Sequence, residues 1–444
     1  MLKTEKQKVS VIGAGMAGVE TAMMLARHGV AADLYEMRPR QKTPAHQSGD
    51  FAELVCSNSF GSMAEFSAPG LLKEEMRALG STILEGAQIN QVPAGNALGV
   101  DREAFAQWVT TKVKEHPLID IIDQECKEIP KEGFVVVATG PLTSDNLTQS
   151  LADLLDTSSL YFYDSISPIV EASSVDLEKT FFASRYQEDQ DDYLNCPMTQ
   201  EQYMSFVEAI AKAEKVPVRD FEELKCFEGC QPIENLVDRG VKTLAFGPMK
   251  PVGLRDPKTQ NRPYAVVQLR RENMPTTMYN LVGFQSRMKW GEQKRIFRMI
   301  PGLENATFVR MGSMHRNTYI ESPKLLASDL SLKTDSRIFF AGQLTGVEGY
   351  VESAAMGQMV ALALLGRIHY QAWHRPPPET ALGALLRVIT TDPLRSEFSP
   401  MNINFGLLPP LQDTARMKKK VRREKQCMRA RQSFQAWFHE QAYQ

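Results

Sequence analysis

The stretch that decides the fold is Lys8-Val9-Ser10-Val11-Ile12-Gly13-Ala14-Gly15-Met16-Ala17-Gly18. A short apolar run enters three closely spaced glycines, and a helical pattern follows until Gly29, a residue typical of a helix C-terminus. Residues 30–35 have the character of a second strand, and Glu36 follows it. Strand, glycine turn, helix, strand and acidic residue in this order indicate a dinucleotide-binding Rossmann unit.

Each glycine of this turn has a separate physical task. The first allows the tight turn, the second lets a pyrophosphate approach the backbone, and the third lets helix and strand pack closely. The free N–H groups and the positive helix end then hold the diphosphate, and Glu36 accepts from ribose hydroxyls. The alternative is a glycine turn that binds nothing. We expect the following residues to contact the dinucleotide: Gly13, Ala14, Gly15, Met16, Ala17, Gly18, Glu36 and Arg38.

Two later segments favour FAD over NAD. Residues 133–140 (GFVVVATG) form an apolar strand ending in Ala-Thr-Gly, and residues 338–342 (IFFAG) form another, followed by a glycine-rich turn and a helix. Flavoproteins of the glutathione-reductase type carry similar segments. No second GxGxxG is present, so a nicotinamide is expected to dock directly over the flavin. The further residues expected at the flavin are Thr139, Gly140, Gly342, Gln343, Thr345, Gly346 and Gly349.

The predicted architecture is α/β, with a Rossmann-like FAD-binding domain that contains an inserted α+β domain. The insert mixes a helical window (residues 200–215) with alternating strands (residues 264–270 and 278–284), and the flavin strands resume only near Arg337. The expected FAD domain comprises residues 1–170 and 324–444, and the insert comprises residues 171–323.

The composition excludes several classes of protein. The 444 residues are 43% hydrophobic and 23% charged, which is typical of a globular chain. The sequence shows neither an apolar run of membrane-spanning length nor a secretory signal, so a cytoplasmic enzyme without a membrane is expected. Six cysteines are too few for a disulfide framework, and Cys226 and Cys230 have no second pair with which to bind zinc, so no metal is expected.

The charge is unevenly distributed. Residues 416–431 (RMKKKVRREKQCMRAR) carry a net +8 in a chain whose total is −2, so the rest of the chain carries −10. A basic tail on an acidic body favours attraction of a polyanion to one place. A solvated helix that only covers the domain is the alternative.

Six segments go beyond a generic flavoprotein, and the chain resembles the folate- and FAD-dependent tRNA (uracil-5-)-methyltransferase family, TrmFO, from about residue 8 to residue 412. The segments that carry the resemblance are residues 34–39 (LYEMRP), 51–59 (FAELVCSNS), 227–234 (FEGCQPIE), 246–254 (FGPMKPVGL), 314–318 (MHRNT) and 346–353 (GVEGYVES).

The resemblance implies the reaction. The methylene of 5,10-methylenetetrahydrofolate moves to C5 of uridine 54 in the tRNA T loop and is reduced by FADH2, which NADH or NADPH regenerates. Uracil C5 becomes nucleophilic when a thiolate adds at C6. Cys230 occupies the position of the family's nucleophile, and Cys56 that of its second essential cysteine. Cys226 is read as structural, although a disulfide with Cys230 is an alternative, and any free cysteine can serve only as a core group.

The remaining candidates concern folate and RNA. Lys250 and Lys289 are expected to meet folate carboxylates or RNA phosphate, unless they are solvated lysines. Arg287 occupies a position where relatives carry a histidine, and its guanidinium plane could stack on the folate. His315 and Arg316 are candidates for RNA or flavin contacts. Further basic and aromatic residues expected to bind RNA are Arg255, Lys258, Arg262, Arg270, Arg271, Lys294, Arg295, Tyr264, Trp290 and Phe227.

Several rival functions share parts of this pattern. A paralogous 23S rRNA uracil-5-methyltransferase would share every catalytic feature. The wobble-uridine flavoprotein, which requires a GTPase partner, has an extra helical domain for which there is no room after Thr390, so no obligatory protein partner is expected. A small-molecule flavin oxidoreductase would not need the basic tail. A non-catalytic RNA-binding protein would retain FAD only as a structural ligand.

Overall fold

The computed structural model describes residues 8–43, 45–155, 160–185, 190–216, 231–391, 398, 400–412 and 417–442, with the backbone alone for 160–166, 314–317 and 441–442. The strands are β1 (Val9–Ile12), β2 (Ala32–Tyr35), β3 (Ser59–Ser62), β4 (Gln91–Val92), β5 (Ala97–Val100), β6 (Ile119–Ile122), β7 (Phe134–Val137), β8 (Leu160–Ile166), β9 (Ile169–Glu171), β10 (Phe181–Phe182), β11 (Tyr193–Met198), β12 (Ala265–Arg271), β13 (Met278–Leu281), β14 (Phe308–Arg310), β15 (Ser313–Tyr319) and β16 (Ile338–Phe340).

The α-helices are α1 (Met16–Arg27), α2 (Ala68–Ala78), α3 (Thr82–Ile89), α4 (Arg102–Lys114), α5 (Asp145–Leu155), α6 (Gln200–Lys212), α7 (Ile233–Asp238), α8 (Thr243–Phe246), α9 (Trp290–Phe297), α10 (Ser322–Leu325), α11 (Tyr350–Ile368), α12 (Ala381–Thr390) and α13 (Lys419–Ala442). Short 3₁₀ turns occur at Gly140–Leu142, Ala172–Ser174, Leu177–Lys179 and Gly342–Thr345.

A parallel sheet in the order β16-β7-β1-β2-β6 carries the dinucleotide turn. Strand β1 lies at its centre, with Val9 opposite Ala32 of β2 and Phe134 of β7. Strand β16 comes from the far end of the chain and pairs with β7 through Ile338 opposite Val135. Because both faces of a parallel sheet are covered, its strands are mostly apolar, although Ser10, Asp33 and Asp120 interrupt β1, β2 and β6. The sequence-based expectation that both ends of the chain build one Rossmann-like sheet is confirmed.

Helix α1 ends as its sequence predicts. Gly29 has φ +79°, and its N–H donates to Ala26, while the N–H of Val30 donates to the carbonyl of Leu25. These two bonds are those of a Schellman motif, in which a glycine in the left-handed region closes the helix. The chain is thereby turned back toward β2, which brings Glu36 to the glycine turn.

An antiparallel sheet in the order β10-β11-β12-β13-β9-β14 forms the second unit. It has its own apolar core, in which Phe206 of α6 and Phe297 of α9 both approach Phe284. Helix α6 begins with a capping box, because the Thr199 side chain accepts from the Gln202 N–H and the Gln202 side chain accepts from the Thr199 N–H.

The two passages between the units run side by side as the antiparallel pair β8 and β15, from Ile166 opposite Ser313 to Leu160 opposite Tyr319. The predicted boundary at residues 170 and 171 falls inside strand β9 of the antiparallel sheet. The exact domain limits therefore stay a prediction.

Helix α11 is the central helix of the flavin unit. It is the helix expected after the glycine-rich turn that follows residues 338–342, and its side chains are buried along most of its length. Its 19 residues are long and apolar enough to cross a membrane by composition alone, but most of them are buried inside the protein. A methyl group at Gly357 would overlap the backbone of Ala17, so α11 and α1 are in direct contact.

Candidate flavin and thiol site

The glycine turn has the geometry that its sequence predicts. Gly13 has φ +100°, a region that L side chains avoid, and a Cβ there would lie 2.8 Å from the Ala138 carbonyl oxygen. A Cβ at Gly18 would overlap the Gly13 carbonyl, whereas a Cβ at Gly15 would meet no atom of the described residues within 4 Å. The first and third glycines are thus required by packing. The second borders open space at the N-terminus of α1, where a diphosphate would lie.

Glu36 is already saturated with hydrogen bonds. Its Oε2 accepts from the Ala14 N–H at 3.1 Å and from Arg38 Nη2 at 3.0 Å, and its Oε1 accepts from Arg38 N at 3.0 Å and Nε at 2.9 Å. A carboxylate offers about four acceptor positions. Burial acts to raise the pKa of Glu36, but the bonds and charge of Arg38 outweigh it and lower that pKa. A ribose hydroxyl would therefore have to share or replace a donor of Arg38.

An open cleft of about 550 Å³ adjoins this turn. Five of the predicted residues line it: Gly13, Gly15, Glu36, Arg38 and Thr139. Residues that the sequence did not single out also line it: Ile12, Tyr35, Met37, Thr43, His46, Gln124, Glu125, Cys126, Leu142, Thr143, Ser144 and Leu147. They lie at or after the carboxyl ends of strands β1, β2, β6 and β7, which converge here. Only the strand order reveals this convergence.

Two of these unpredicted residues are polar and structurally constrained. Thr139 Oγ1 lies 2.7 Å from Thr143 Oγ1, which holds the turn after β7. His46 Nδ1 lies 2.6 Å from Thr43 Oγ1, and burial together with the charge of Arg38 lowers its pKa to about 4. His46 is therefore a neutral imidazole at the cleft wall near neutral pH.

The second flavin segment forms the 3₁₀ turn that follows β16 and leads into α11. Gly346 has φ +84° and Gly349 has φ +103°. Gln343 donates to both carboxylate oxygens of Glu348 at 3.1 Å, and the buried Thr345 hydroxyl donates to the Gly342 carbonyl. These bonds define the turn, so Thr345 is a residue of its interior.

The N-terminus of α11 carries a buried carboxyl. Glu352 accepts from the Ile403 N–H at 3.1 Å, and burial raises its pKa to about 7. A Cβ at Gly349 would collide with this carboxyl. Glu352 therefore lies at the helix end that was expected to face the flavin, and it was not among the residues predicted for this site.

The predicted second cysteine lies directly against this flavin segment. The N–H of Cys56 donates to the Tyr350 hydroxyl at 2.8 Å, and Tyr350 is the first residue of α11. Arg102 donates to the Leu54 carbonyl and, at 3.4 Å, to the Cys56 carbonyl. Residues 54–58, the Cys56 loop, are thus held beside the start of α11.

The antiparallel unit holds the other side of the Cys56 loop. Arg270 of β12 donates to Asn58 Oδ1 at 2.7 Å and to Ser57 Oγ at 3.0 Å. Asn58 in turn donates to the Arg271 carbonyl, and Arg102 pairs with Glu272 at 3.0 Å. The Cys56 loop therefore lies between the two units.

This arrangement corrects one expectation. Arg270 was expected to contact RNA phosphate, but its side chain is 6% exposed and its donors bind the Cys56 loop. Tyr264 is half-buried with its ring centroid 5.2 Å from that of Tyr203. Trp290 is 67% exposed and stays available to a base.

Cys230, Cys226 and Phe227 lie outside the described residues. The chain on either side is described: the Val216 N–H donates to the Arg287 carbonyl and the Ile233 N–H donates to the Gln285 carbonyl, both at 2.9 Å. The chain before and after these three residues thus bonds to the segment that carries Arg287.

The folate and RNA candidates occupy varied positions. Arg287 is half-buried, and its Nε has no hydrogen-bond partner within the part of the chain that the structure describes. Lys289 is exposed and pairs with Glu214 at 2.7 Å. Lys250 is half-buried in the turn after α8. His315 and Arg316 lie on β15, opposite residues 164 and 163, and only their backbone is described.

The residues present fit FAD. Within the part of the chain that the structure describes, a Cβ built at Gly15 or Gly140 would meet no atom within 4 Å, so two backbone turns are open to a ligand there. Gly15 and Thr139, the residue before Gly140, line the cleft beside the uncapped N-terminus of α1. The turn at residues 342–349 lies after the neighbouring strand β16 of the same sheet, which gives a dinucleotide a second contact.

Comparison with known proteins agrees with this geometry. The family model described as "Glucose inhibited division protein A" matches residues 8–372. A solved structure of Aquifex aeolicus GidA superposes with a TM-score of 0.68, covering 99% of this chain and 74% of that one at 16% identity, which supports the fold.

Closer relatives are named methylenetetrahydrofolate–tRNA-(uracil-5-)-methyltransferase TrmFO. The protein of Syntrophus aciditrophicus is 53% identical over 98% of both chains. That of Aquifex aeolicus is 52% identical over 98% of this chain and 97% of its own, and that of Enterococcus faecalis is 52% identical over 93% and 94%. The chain belongs to the TrmFO family, within the wider glucose inhibited division protein A family.

Proposed function

We propose that this protein is an FAD enzyme that moves the methylene of 5,10-methylenetetrahydrofolate to C5 of a uridine in tRNA and reduces it to a methyl group. The observation that carries the proposal is 53% identity, over 98% of both chains, to a protein named for this activity. The open dinucleotide turn and the cysteine beside the flavin segment support it.

The chain supplies the nucleophile. In the proposed reaction the Cys230 thiolate adds to C6 of uracil, which makes C5 nucleophilic toward the methylene. Proton loss from C5 and departure of the group that carried the methylene leave an exocyclic methylene, and release of Cys230 follows its reduction. The role of Cys230 is assigned from its sequence motif alone, because this residue lies outside the described residues.

Cys56 is the second functional thiol in the proposal. Its backbone is tied to Tyr350 on the flavin side and, through Ser57 and Asn58, to Arg270 on the other. A thiol placed between the two units can exchange a proton with a base bound there. The base would be extruded from its RNA into this space.

The glycine turn and α1 would hold the diphosphate of FAD, Arg38 and Glu36 would hold its ribose, and the turn at residues 342–349 would hold its isoalloxazine. FAD, once reduced, supplies the hydride that turns the methylene into a methyl group, and we propose NADH or NADPH as the source of that hydride. Uridine 54 of the T loop is the proposed target. We propose a cytoplasmic location, where the tRNA substrate is found.

The test is methyl transfer from labelled 5,10-methylenetetrahydrofolate to tRNA, measured with the purified protein. The label should appear as 5-methyluridine at position 54, with S-adenosylmethionine inactive as donor. Cys230→Ala and Cys56→Ala should both abolish it. Cys196→Ala is the matched control, because burial in β11 raises the pKa of that thiol and keeps it inert.

Wild-type turnover in both Cys56→Ala and Cys230→Ala would contradict the assigned roles. Methylation of a 23S rRNA transcript in place of tRNA would instead change the substrate and leave the chemistry intact. Mass spectrometry of both RNAs after the reaction distinguishes these results.

A further inference from the structure

The basic tail folds as a helix fastened to the flavin unit. Helix α13 buries Cys427, Ala430, Phe434 and Trp437, which recur at helical spacing on one face. The Trp437 indole donates to the His374 carbonyl at 2.7 Å. The tail therefore has a defined position on the body and is not a freely moving polycation.

A row of cations occupies another face of the same helix. Lys418, Arg422 and Lys425, the basic stripe, follow one another at spacings of four and three residues and are all exposed. Residues at these spacings share one side of a helix. Among the residues that the structure describes, none forms an ion pair with the stripe. Its charge is therefore open to an external anion.

The stripe is poorly placed for stability. It begins at the N-terminus of α13, where the helix dipole is already positive, and the first turn has no acidic residue. Cations are disfavoured at this end of a helix, and neighbouring cations repel one another. A helix that only covered the domain would gain by losing these charges. An anion bound along the stripe would reverse both effects.

The stripe is also close to the flavin segment. Ile403 donates to Glu352 at the start of α11, and the backbone of Met401 bonds to that of Glu348. Phe405 stands two residues after Ile403, and the centroid of its ring lies 5.3 Å from the guanidinium of Arg423. Arg423 directly follows Arg422 of the basic stripe. From these links and the reach of an extended chain, the stripe lies on the order of 20 Å from Glu352.

We infer that the basic stripe binds phosphates of the RNA substrate while another part of the same RNA enters the flavin and thiol site. Phosphates repeat about every 3.4 Å of axis along a strand of duplex DNA, and a spacing of this order in RNA makes a separation on the order of 20 Å span several steps, within one RNA arm. Two or three phosphates would face Lys418, Arg422 and Lys425. The inference rests on the proposed function and adds the surface that holds the RNA.

The test is the salt dependence of tRNA binding by the FAD-loaded protein. Each phosphate contact contributes about 0.7 to 0.9 to the slope of log K against log salt. The variant K418Q/R422Q/K425Q should lower the magnitude of that slope by about 2 and raise KM for tRNA about tenfold or more. Its kcat and flavin spectrum should match the wild type, and its melting temperature should not fall, since glutamine is a good helix former and the removed charges are unfavourable at this helix end.

The matched control is K112Q/K127Q/K131Q, which removes three exposed lysines that lie outside α13. This control and the charge-preserving K418R/K425R should bind tRNA as the wild type does. An unchanged slope and KM in the stripe variant would overturn the inference. A wild-type protein that methylates no RNA would overturn the proposed function instead, so the two failures are distinguishable.

Discussion

Arg270 and Asn58 are 212 positions apart in the chain, and the Arg270 guanidinium donates to the Asn58 side chain at 2.7 Å. Both residues are buried. Asn58 stands two positions after Cys56, so the antiparallel unit holds the loop that carries the thiol. Tyr350 holds the same loop from the flavin side. The position of Cys56 therefore depends on how both units pack.

Arg270→Lys should lower turnover by more than its loss of stability would explain. Lysine keeps the charge but cannot donate in fixed directions to both Asn58 and Ser57. Losing one such charged hydrogen bond costs about 1.5–3 kcal/mol. Urea unfolding measures that cost, and methyl transfer measures the activity. Arg295→Lys, at an exposed pair with Glu292, serves as control and should change neither. Equal activity of the two variants would refute a positioning role for Arg270.

Gly15→Ala and Gly18→Ala should fail in different ways. A methyl at Gly15 would meet no atom within 4 Å among the residues described in the structure, so the apoprotein should melt as the wild type does while FAD affinity falls about tenfold or more. A methyl at Gly18 overlaps the Gly13 carbonyl, so this variant should lose stability, by about 1–3 kcal/mol for overpacking. Differential scanning calorimetry and flavin fluorescence titration separate the two effects. Normal FAD binding by Gly15→Ala would contradict the diphosphate assignment.

Arg38→Met should weaken FAD binding and alter the pH response of the site. The guanidinium lowers the pKa of Glu36 by its bonds and charge against the effect of burial. Without it, the Glu36 carboxyl should take up a proton at higher pH. Because the native pKa is lowered, Glu36 stabilises the fold above its unfolded pKa, and this contribution is lost as the pH falls through the folded value.

The measurement for Arg38→Met is FAD affinity between pH 4 and 8. We expect an affinity at least about tenfold lower than that of the wild type at neutral pH, with the difference narrowing toward acid pH. Arg40→Met, at an exposed neighbouring position, is the control. Unchanged affinity in Arg38→Met would show that Glu36 and Arg38 do not hold the ribose.

Glu75 should make the fold less stable as the pH rises. This glutamate of α2 accepts from the Ala381 and Leu382 N–H groups at the N-terminus of α12, and burial raises its pKa to about 8. A raised native pKa means that the folded state holds the proton more tightly. The resulting stability is full below the unfolded pKa near 4.5 and is lost as the pH rises through about 8.

Thermal unfolding from pH 5 to 9 tests Glu75. A single group of this kind contributes a slope of at most about 1.4 kcal/mol per pH unit. Glu75→Gln should be less stable at pH 5, since an amide offers one acceptor to two N–H groups, and its stability should vary less with pH. Glu103→Gln, at an exposed position on α4, should keep the wild-type slope. A wild-type slope in Glu75→Gln would contradict the expectation.

Sequence patterns predicted the local parts of the site well. Gly13, Gly15 and Gly18 have the roles that their spacing predicts, because steric limits on a turn between strand and helix act over a few residues. The parallel strands and the return of the chain near Arg337 were predictable for a second local reason, because buried strands are mostly apolar and can be recognised in the sequence. The roles of Cys56 and Cys230 stay predictions.

Contacts between distant segments were not predictable. Arg270 is a positively charged residue of the kind that binds RNA phosphate, but its side chain bonds to Asn58 at the boundary between the units. Glu20 bonds the start of α3 and Glu75 the start of α12, and neither glutamate carries a sequence signal for this. A side chain's partner across the fold depends on how whole elements pack.

The amino-acid sequence by itself determined the glycine turn, the α/β class and the presence of a strongly basic tail, because each follows from local steric limits, apolar periodicity or charge. Only the tertiary structure decided that Cys56 lies between the two units, that Arg38 saturates Glu36, and that α13 presents its cations near the flavin segment. Those relationships join residues that are distant in the chain, and they exist only once the sheets and helices have packed against one another.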